Sequence, residues 1–192
     1  MILKEACLEA KLILPEPFYP LAEEFSRILL SWNNVHNLSG AKEASQVYEH
    51  IIDSVYPVTF LPPFKRALDI GSGAGFPGLV LAMERRDAHF TLVEPLQKRA
   101  SFLQFVAATL RLENVTVRNC RIEQVPPEPF DLVTSRAVTS AGDVFDWARP
   151  FLGEGSWLLL YKSEAVLEEL NGLPEARIVR RDHSHYVMLK RE

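Results

Sequence analysis

The sequence predicts an α/β fold with a mostly parallel seven-stranded sheet, an antiparallel C-terminal hairpin and an N-terminal helical extension. Before Pro62, apolar residues recur at the three- and four-residue spacing of helices. After Pro63, short β-like runs alternate with helical stretches, which is typical of a parallel sheet covered on both faces. Only residues 182–184 separate the last two runs. Because that gap is too short for a crossover helix, we expect the final strand to run antiparallel.

The elements follow from these patterns in chain order. Helical periodicity in the extension, residues 1–62, involves Phe25, Ile28, Leu29 and Trp32, then Val47, His50, Ile51, Ser54 and Val55. In residues 63–192, the predicted strands are Arg66–Ile70, His89–Glu94, Asn114–Arg118, Phe130–Thr134, Ser156–Tyr161, Ala176–Arg181 and His185–Lys190. The predicted helices between them are Pro77–Arg85, Leu96–Leu110, Ala141–Leu152 and Glu164–Leu170. We expect the extension to pack on the core as one compact unit. The strand arrangement is that of the Rossmann-like class I methyltransferases, an analogy of fold that assigns no function by itself.

Composition narrows the class of protein. A length of 192 residues suits one domain, and 47% hydrophobic with 24% charged residues is typical of a globular chain. No apolar run approaches the ~20 residues of a membrane span, and the first residues lack the apolar core of a secretion signal. Cys7 and Cys120 have no metal-ligand spacing and fit a reducing cytosol. We therefore expect a cytoplasmic protein with no metal site and no membrane partner.

The densest chemical signal is the turn Asp69-Ile-Gly-Ser-Gly-Ala-Gly-Phe-Pro-Gly78. Its first three glycines, which let the chain turn tightly and a ligand approach the backbone, are Gly71, Gly73 and Gly75. Asp69 is placed to fix the turn by accepting N–H bonds. Nicotinamide, flavin and sulfonium cofactors all use such turns. The G-x-G-x-G spacing and the bulky Phe76 favour a cationic ligand without phosphate over a diphosphate.

An acidic residue, Glu94, ends the next predicted strand. An acid at that place can hold both hydroxyls of a cofactor ribose, although a surface glutamate at a strand end is the alternative. Together with the glycine turn, it favours S-adenosylmethionine over a dinucleotide. The loop after the third strand borders the adenine ring in this fold, so Ile122 and Glu123 are candidates for the base pocket. An ordinary core isoleucine and a solvated glutamate are equally compatible with the pattern.

Signatures of other methyltransferase types are missing. Residues 134–137 read Thr-Ser-Arg-Ala where amine methylators carry Asn/Asp-Pro-Pro-aromatic. No Pro-Cys dipeptide supports a covalent cysteine route, and no carboxylate or histidine cluster suggests a metal-dependent O-methyltransferase. We therefore expect an acceptor that is already nucleophilic.

Six stretches between residues 32 and 162 match one known family in the family's order. They are Trp32-Asn-Asn-Val-His-Asn-Leu-Ser39, His50-Ile-Ile-Asp-Ser54, the turn from Asp69 to Gly78, Lys98-Arg99, Ser135-Arg-Ala137 and Tyr161-Lys162. On these the chain resembles the methyltransferase G family of small-subunit ribosomal RNA, also called glucose-inhibited division protein B. The resemblance implies transfer of a methyl group from S-adenosylmethionine to N7 of a guanine in the 530 loop of 16S RNA. A small-molecule methyltransferase and a non-catalytic RNA or ribosome-assembly partner that binds the cofactor remain the alternatives.

The resemblance also implies individual roles. Cofactor contacts are implied at Gly71, Phe76, Ile122, Glu123 and Arg136. It suggests that Arg136 and Lys162 face the transfer site, which makes them the catalytic candidates. Guanine N7 has a free lone pair at neutral pH, so the reaction needs positioning rather than a general base. A cation directly on N7 would block it, and we expect these two side chains to contact O6, a phosphate or the cofactor carboxylate.

Four further residues are candidates for substrate binding, each with a structural alternative. Asn37 is also a plausible turn residue, and His50 shares a helix face with apolar residues. Lys98 and Arg99 suit phosphate contacts or a solvated helix face equally well.

Aromatic residues near these positions are expected to be structural. Phe102 and Phe105 have the helical spacing of core residues rather than of a stacking platform. Trp32 is also typical of a core residue, and an RNA-facing or cofactor-lid surface is the alternative for it. A net charge of −4 does not indicate nucleic-acid binding, although it permits an RNA substrate. We expect a monomer that does not bind DNA and needs a shaped ribosomal substrate rather than a short oligonucleotide.

Overall fold

The computed structural model describes residues 2–136, 138–163, 169–170, 173 and 175–191. The helices are α1 (Leu3–Glu9), α2 (Phe18–His36), α3 (Ala44–Val55), α4 (Gly78–Glu84), α5 (Gln97–Thr109) and α6 (Ala141–Ala148). The strands are β1 (Arg66–Ile70), β2 (His89–Val93), β3 (Val115–Arg118), β4 (Phe130–Arg136), β5 (Leu152–Lys162), β6 (Ala176–Arg181) and β7 (Ser184–Lys190). Short 3-10 turns cover Tyr56–Thr59, Ile122–Gln124 and Arg149–Phe151.

The strands form one seven-stranded sheet in the order β3-β2-β1-β4-β5-β7-β6. The first five strands pair in parallel, while β7 runs antiparallel to both β5 and β6. The predicted fold class and its antiparallel C-terminal hairpin are therefore confirmed. The order of the strands reverses between β1 and β4, and in open α/β sheets ligands bind outside the carboxyl ends of the strands at such a point.

The strand boundaries agree with the sequence prediction to within two residues except at β5. That strand begins at Leu152 rather than Ser156, and its pairing with β4 shifts register between Phe130 and Leu132. Helix α6 ends at Ala148, before the predicted Leu152, because Pro150 has no N–H to continue the helical bonding. The predicted helix over 164–170 lies mostly outside the described residues.

The N-terminal helices pack directly on one face of the sheet. Phe25 of α2 and Val47 of α3 are fully buried in the same hydrophobic cluster as Leu79, Phe102 and Tyr186. A second cluster covers the opposite face beneath α6. Among the described residues, no helix is long and apolar enough to span a bilayer.

Candidate active site

The turn between β1 and α4 adopts a conformation that its glycines make possible. Gly71 and Gly75 have φ angles of +71° and +95°, in the region that favours glycine. A Cβ at Gly71 would lie 2.6 Å from a methyl carbon of Val138, and one at Gly75 would lie 2.7 Å from Leu79. The turn therefore presents bare backbone to the space above the sheet.

Asp69 holds this turn from below, as the sequence predicted. Its carboxylate accepts hydrogen bonds from the Gly78 amide at 3.2 Å and from the Thr134 hydroxyl at 2.7 Å. The side chain is 1% exposed. Burial raises the pKa of Asp69 to about 6, against the opposing effect of these hydrogen bonds. Asp69 thus supports the turn without reaching the space where a ligand would lie.

Glu94 follows the end of β2 and faces the same turn. Its two carboxylate oxygens accept bonds from the amides of Gly73 and Leu96, each at 2.9 Å. A carboxylate has about four acceptor positions, so this arrangement fixes Glu94 and leaves lone pairs for two further donors. The residue is therefore equipped to accept bonds from the two hydroxyls of a ribose.

A cleft of about 590 Å³ opens at the carboxyl ends of the strands. The predicted site residues that line it are His50, Gly71, Gly73, Phe76, Glu94, Arg99, Ile122, Glu123 and Arg136. Asp69 and Gly75 are buried and do not line the cleft, and neither do Asn37, Lys98 and Lys162. Concavities of about 740 and 910 Å³ occur elsewhere, but glycine-turn residues line neither of them.

Arg136, at the end of β4, is bound to α3. Its Nη1 lies 3.2 Å from an Asp53 carboxylate oxygen and donates to the Ser54 hydroxyl at 3.2 Å. Its Nη2 lies 3.1 Å from His50 Nδ1. The Asp53 charge is only 13% exposed and the Arg136 side chain 21%, so the pair is partly withdrawn from water. Arg136 therefore brings hydrogen-bond donors to the cleft with its charge largely compensated.

His50 contacts both Arg136 and the aromatic residue of the turn. Since the guanidinium only donates, its bond to His50 Nδ1 requires the lone pair of that nitrogen. Burial, together with the Arg136 charge, lowers the pKa of His50, which favours the neutral ring. The His50 and Phe76 rings lie 5.4 Å apart, and the Arg136 guanidinium lies 5.7 Å from the Phe76 ring.

Two tyrosines join α3 to the C-terminal half of the sheet. The Tyr161 hydroxyl donates to the Ser54 carbonyl at 2.7 Å. The Tyr186 hydroxyl donates to the Asp53 carboxylate at 2.8 Å. Burial raises the pKa of both tyrosines, so both hydroxyls keep their protons and remain donors. Asp53 is thereby held between Tyr186 and Arg136.

Lys162 binds a loop next to the cleft. Its ammonium donates to the Thr139 carbonyl at 2.5 Å and to the Glu169 carboxylate at 2.9 Å. Val138, beside Thr139, lines the cleft, while the Lys162 ammonium does not. Direct contact of Lys162 with the reacting atoms therefore stays a prediction, and the geometry supports a role in holding this loop.

Of the four residues predicted to bind substrate, two line the cleft and two do not. His50 and Arg99 line the cleft. Asn37 is an exposed left-handed residue that ends α2, and Lys98 is exposed on α5.

Sequence reasoning missed two polar residues of the site. Asp53 belongs to a stretch that the family resemblance singled out, and its spacing from His50 and Ser54 places all three on one side of a helix. Arg121 lines the cleft beside Ile122, but it belongs to no sequence motif that would have identified it.

Comparison with known proteins agrees with this geometry. The family model described as rRNA small subunit methyltransferase G matches residues 19–192. The chain is 49% identical over 148 residues to the ribosomal RNA small subunit methyltransferase G of Wolinella succinogenes, covering 77% of each chain. It is 40% identical over 177 residues to the protein of that name from Aliarcobacter butzleri, covering 91% of each.

Solved structures with similar folds are much more distant in sequence. A putative O-methyltransferase from Klebsiella pneumoniae superimposes with a TM-score of 0.64 at 14% identity, covering 100% of this chain and 97% of that one. An RNA methyltransferase from Salinibacter ruber in complex with S-adenosyl-L-homocysteine gives 0.52 at 16% identity, covering 66% and 80%. At these identities the likeness establishes the fold alone.

Proposed function

The chain belongs to the rRNA small subunit methyltransferase G family, and from this premise we propose that it methylates N7 of a guanine in the 530 loop of 16S ribosomal RNA. It is an S-adenosylmethionine-dependent methyltransferase of that RNA. The observation that carries the proposal for the site is the cleft in which the glycine turn, Glu94 and Arg136 meet at the carboxyl edge of the sheet.

The residues of the cleft fit the cofactor. We assign the ribose to Glu94, whose carboxylate retains free lone pairs after bonding two amides. Ile122 is 6% exposed and offers an apolar surface for the adenine, with Glu123 beside it on the cleft wall. Phe76 and the backbone of Gly71 and Gly73 complete this side. When bound, S-adenosylmethionine supplies the electrophilic methyl group.

On the side of the cleft where the guanine would bind, the protein is suited to orient the acceptor. Guanine N7 carries a lone pair that needs no deprotonation, and holding reactants in line is worth about 7–11 kcal/mol in favourable cases. The lowered pKa of His50 favours its neutral ring, whose Nδ1 lone pair accepts from Arg136 and whose proton then lies on Nε2, so the ring has no free lone pair to act as a base. These contacts support a site that positions its acceptor rather than one that moves a proton.

The ion pair of Arg136 with Asp53 bears on the role of the arginine. Positive charge leaves the sulfonium and develops on the guanine ring during transfer, so an uncompensated cation beside the ring would oppose the reaction. Asp53 lies 3.2 Å from the guanidinium and offsets that charge. Arg136 is then suited to donate to O6 of the guanine or to the cofactor carboxylate.

The charge of the chain supports a folded ribosomal substrate. With a net charge of −4, long-range attraction to RNA is weak, although Arg99 and Arg121 line the cleft. We propose that the enzyme acts as a monomer in the cytoplasm, recognises the shape of the small subunit, and binds neither DNA nor membranes.

The direct test is transfer from labelled S-adenosylmethionine into unmodified 30S subunits, followed by mapping of the labelled nucleotide. We expect N7-methylguanine in the 530 loop and much lower incorporation into a naked 530-loop hairpin. Labelling at another base would contradict the proposed position. No incorporation, with cofactor binding intact, would favour a small-molecule acceptor or a non-catalytic RNA partner.

A further inference from the structure

An aromatic cluster lies on the surface where α2 meets α5. The Trp32 ring lies 5.6 Å from Phe105 and 5.4 Å from His36, measured between ring centroids. We call Trp32, His36 and Phe105 the aromatic face. Phe102 packs beneath it, edge-on to Trp32 at 5.3 Å and fully buried. Phe105 is 48% exposed, so its expected place in the core is wrong.

The aromatic face continues into the wall of the cleft. Helix α2 ends at His36, and Leu38 and Ser39, immediately beyond it, line the cleft. On α5, Arg99 lines the cleft, and Phe105 lies six residues further along, about 9 Å on the helix axis. Along the axis of α5, the cleft-lining Arg99 and Phe105 are therefore separated by about the length of one or two nucleotides.

Positive charge accompanies the aromatic face. Lys98 and Phe105 are seven residues apart and lie on the same side of α5. Within the described part of the chain, neither Lys98 nor Arg99 has an acidic group at salt-bridge distance. In a chain of net charge −4, two cations beside an exposed aromatic surface match a ligand that combines a flat ring with a phosphate.

We propose that the aromatic face stacks on an unstacked RNA base that neighbours the methylated guanine. The proposal rests on the proposed function and names a binding surface for that substrate. Guanine N7 lies in the major groove, which in RNA helices is deep and too narrow for side chains. The target must therefore leave its stack, and its neighbours lose stacking partners at the same time. The aromatic face replaces that lost contact just outside the cleft, while Lys98 and Arg99 contact the adjoining phosphates.

The test compares substitutions at one position. Phe105→Leu keeps an apolar side chain but removes the aromatic ring, Phe105→Trp keeps a ring, and Ile13→Ala removes an apolar side chain that is 90% exposed and outside the cleft. Dissociation constants are measured for deproteinised 16S RNA, for unmethylated 30S subunits and for S-adenosylmethionine. We expect Phe105→Leu to weaken binding of both RNA forms about tenfold, within the range for loss of one stacked base. Phe105→Trp and Ile13→Ala are expected to bind like the wild type, and all variants to bind the cofactor equally.

Two results would overturn the proposal. Unchanged RNA affinity of Phe105→Leu would exclude stacking, and weaker binding to 30S subunits alone would assign the face to a ribosomal protein. Failure of the proposed function is recognised separately, because it appears as absent methyl transfer by the wild-type enzyme. Dependence of RNA affinity on Phe105 in that event would still support the aromatic face as an RNA-binding surface.

Discussion

One wall of the cleft consists of the glycine turn and a buried glutamate, whereas another consists of side chains that connect distant parts of the chain. The glycine wall comprises residues 71–74 with Glu94, and the buried Asp69 supports it. The carboxylates of Glu94 and Asp69 accept bonds from the amides of Gly73, Leu96 and Gly78. The arginine wall comprises Arg136 and His50, and Asp53 and Ser54 of α3 bind the guanidinium without lining the cleft. The hydrogen bonds of Arg136 to Ser54 and His50 join residues 82 and 86 positions apart in sequence. The glycine wall thus depends on contacts among β1, β2 and β4 of the sheet itself, whereas the arginine wall depends on the docking of α3 on the sheet.

This difference separates two kinds of function. Changes in the glycine wall should alter cofactor affinity and the stability of the turn. Changes in the arginine wall should chiefly lower the rate of methyl transfer, with a smaller change in cofactor affinity where Arg136 donates to the cofactor carboxylate.

Asp69 gives the glycine wall a pH dependence. Its pKa is raised from 3.8 to about 6, so the folded protein binds this proton more tightly than the unfolded chain. Asp69 therefore contributes up to about 3 kcal/mol to the free energy of unfolding below about pH 4, and this contribution is lost as the pH rises through about 6. We expect the difference in unfolding free energy between wild type and Asp69→Asn to follow that course in urea denaturation from about pH 4 to 7. Asp87→Asn is the control, since an ion pair lowers the pKa of that exposed carboxyl. A difference independent of pH would show that Asp69 is ionised throughout.

Arg136→Ala tests the arginine wall. We expect methyl transfer to fall about 100-fold, because the variant loses the donors that orient the acceptor, as positioning losses of this order do. Asp53 would also be left without its cation, which destabilises a largely buried carboxylate. The double variant Arg136→Ala/Asp53→Asn should recover stability but not transfer, and Arg149→Ala, at an exposed residue outside the cleft, is the matched control. Full turnover of Arg136→Ala, with unchanged affinity for cofactor and RNA, would show that Arg136 has no role in the site.

Glu94→Gln addresses the ribose assignment. The amide group has the shape of the carboxylate, but its NH₂ would face one of the two amide donors that Glu94 now binds. We expect the dissociation constant of S-adenosylmethionine to rise about 30-fold in calorimetry, with little change in the transfer rate at saturation. Glu113→Gln, at an exposed glutamate outside the cleft, should leave affinity unchanged. Wild-type affinity in Glu94→Gln would assign the ribose elsewhere.

Substitution of Lys162 is expected to change methyl transfer least, and it distinguishes a role in holding the loop from direct contact with substrate. If it acts by holding the loop through Glu169, then Lys162→Met and Glu169→Gln should each reduce transfer several-fold, and their combination should reduce it no further. The coupling in unfolding free energy should be about 1 kcal/mol. A loss of transfer confined to Lys162→Met would instead support direct contact with substrate.

The sequence was sufficient for the local features of the molecule. Six of the seven predicted strands agree with the structure to within two residues at each end. The buried parallel strands β1, β2 and β4 are nearly continuous apolar runs. The role of Asp69 followed from its place before the glycine turn. The start of β5 was missed because residues 153–155, Gly-Glu-Gly, resemble a loop, and a register shift incorporates them into the strand.

Contacts between residues distant in sequence, and the exposure of individual side chains, could not be predicted from the sequence in this way. Nothing in the local pattern around His50 identifies a partner at Arg136, since that pairing depends on how α3 docks. The position of Phe105 was misjudged because α5 carries apolar residues around its circumference, so spacing alone does not define which side is buried.

The hydrogen bond between Tyr186 and Asp53 has a consequence for the order in which parts of the site are completed during synthesis of the chain. The two residues are 133 positions apart, and β7 lies inside the sheet although it is translated after the other six strands. Asp53 can therefore receive its Tyr186 bond only after nearly the whole chain has been synthesised. The support of the arginine wall should accordingly be the last part of the cleft to be completed as the protein folds.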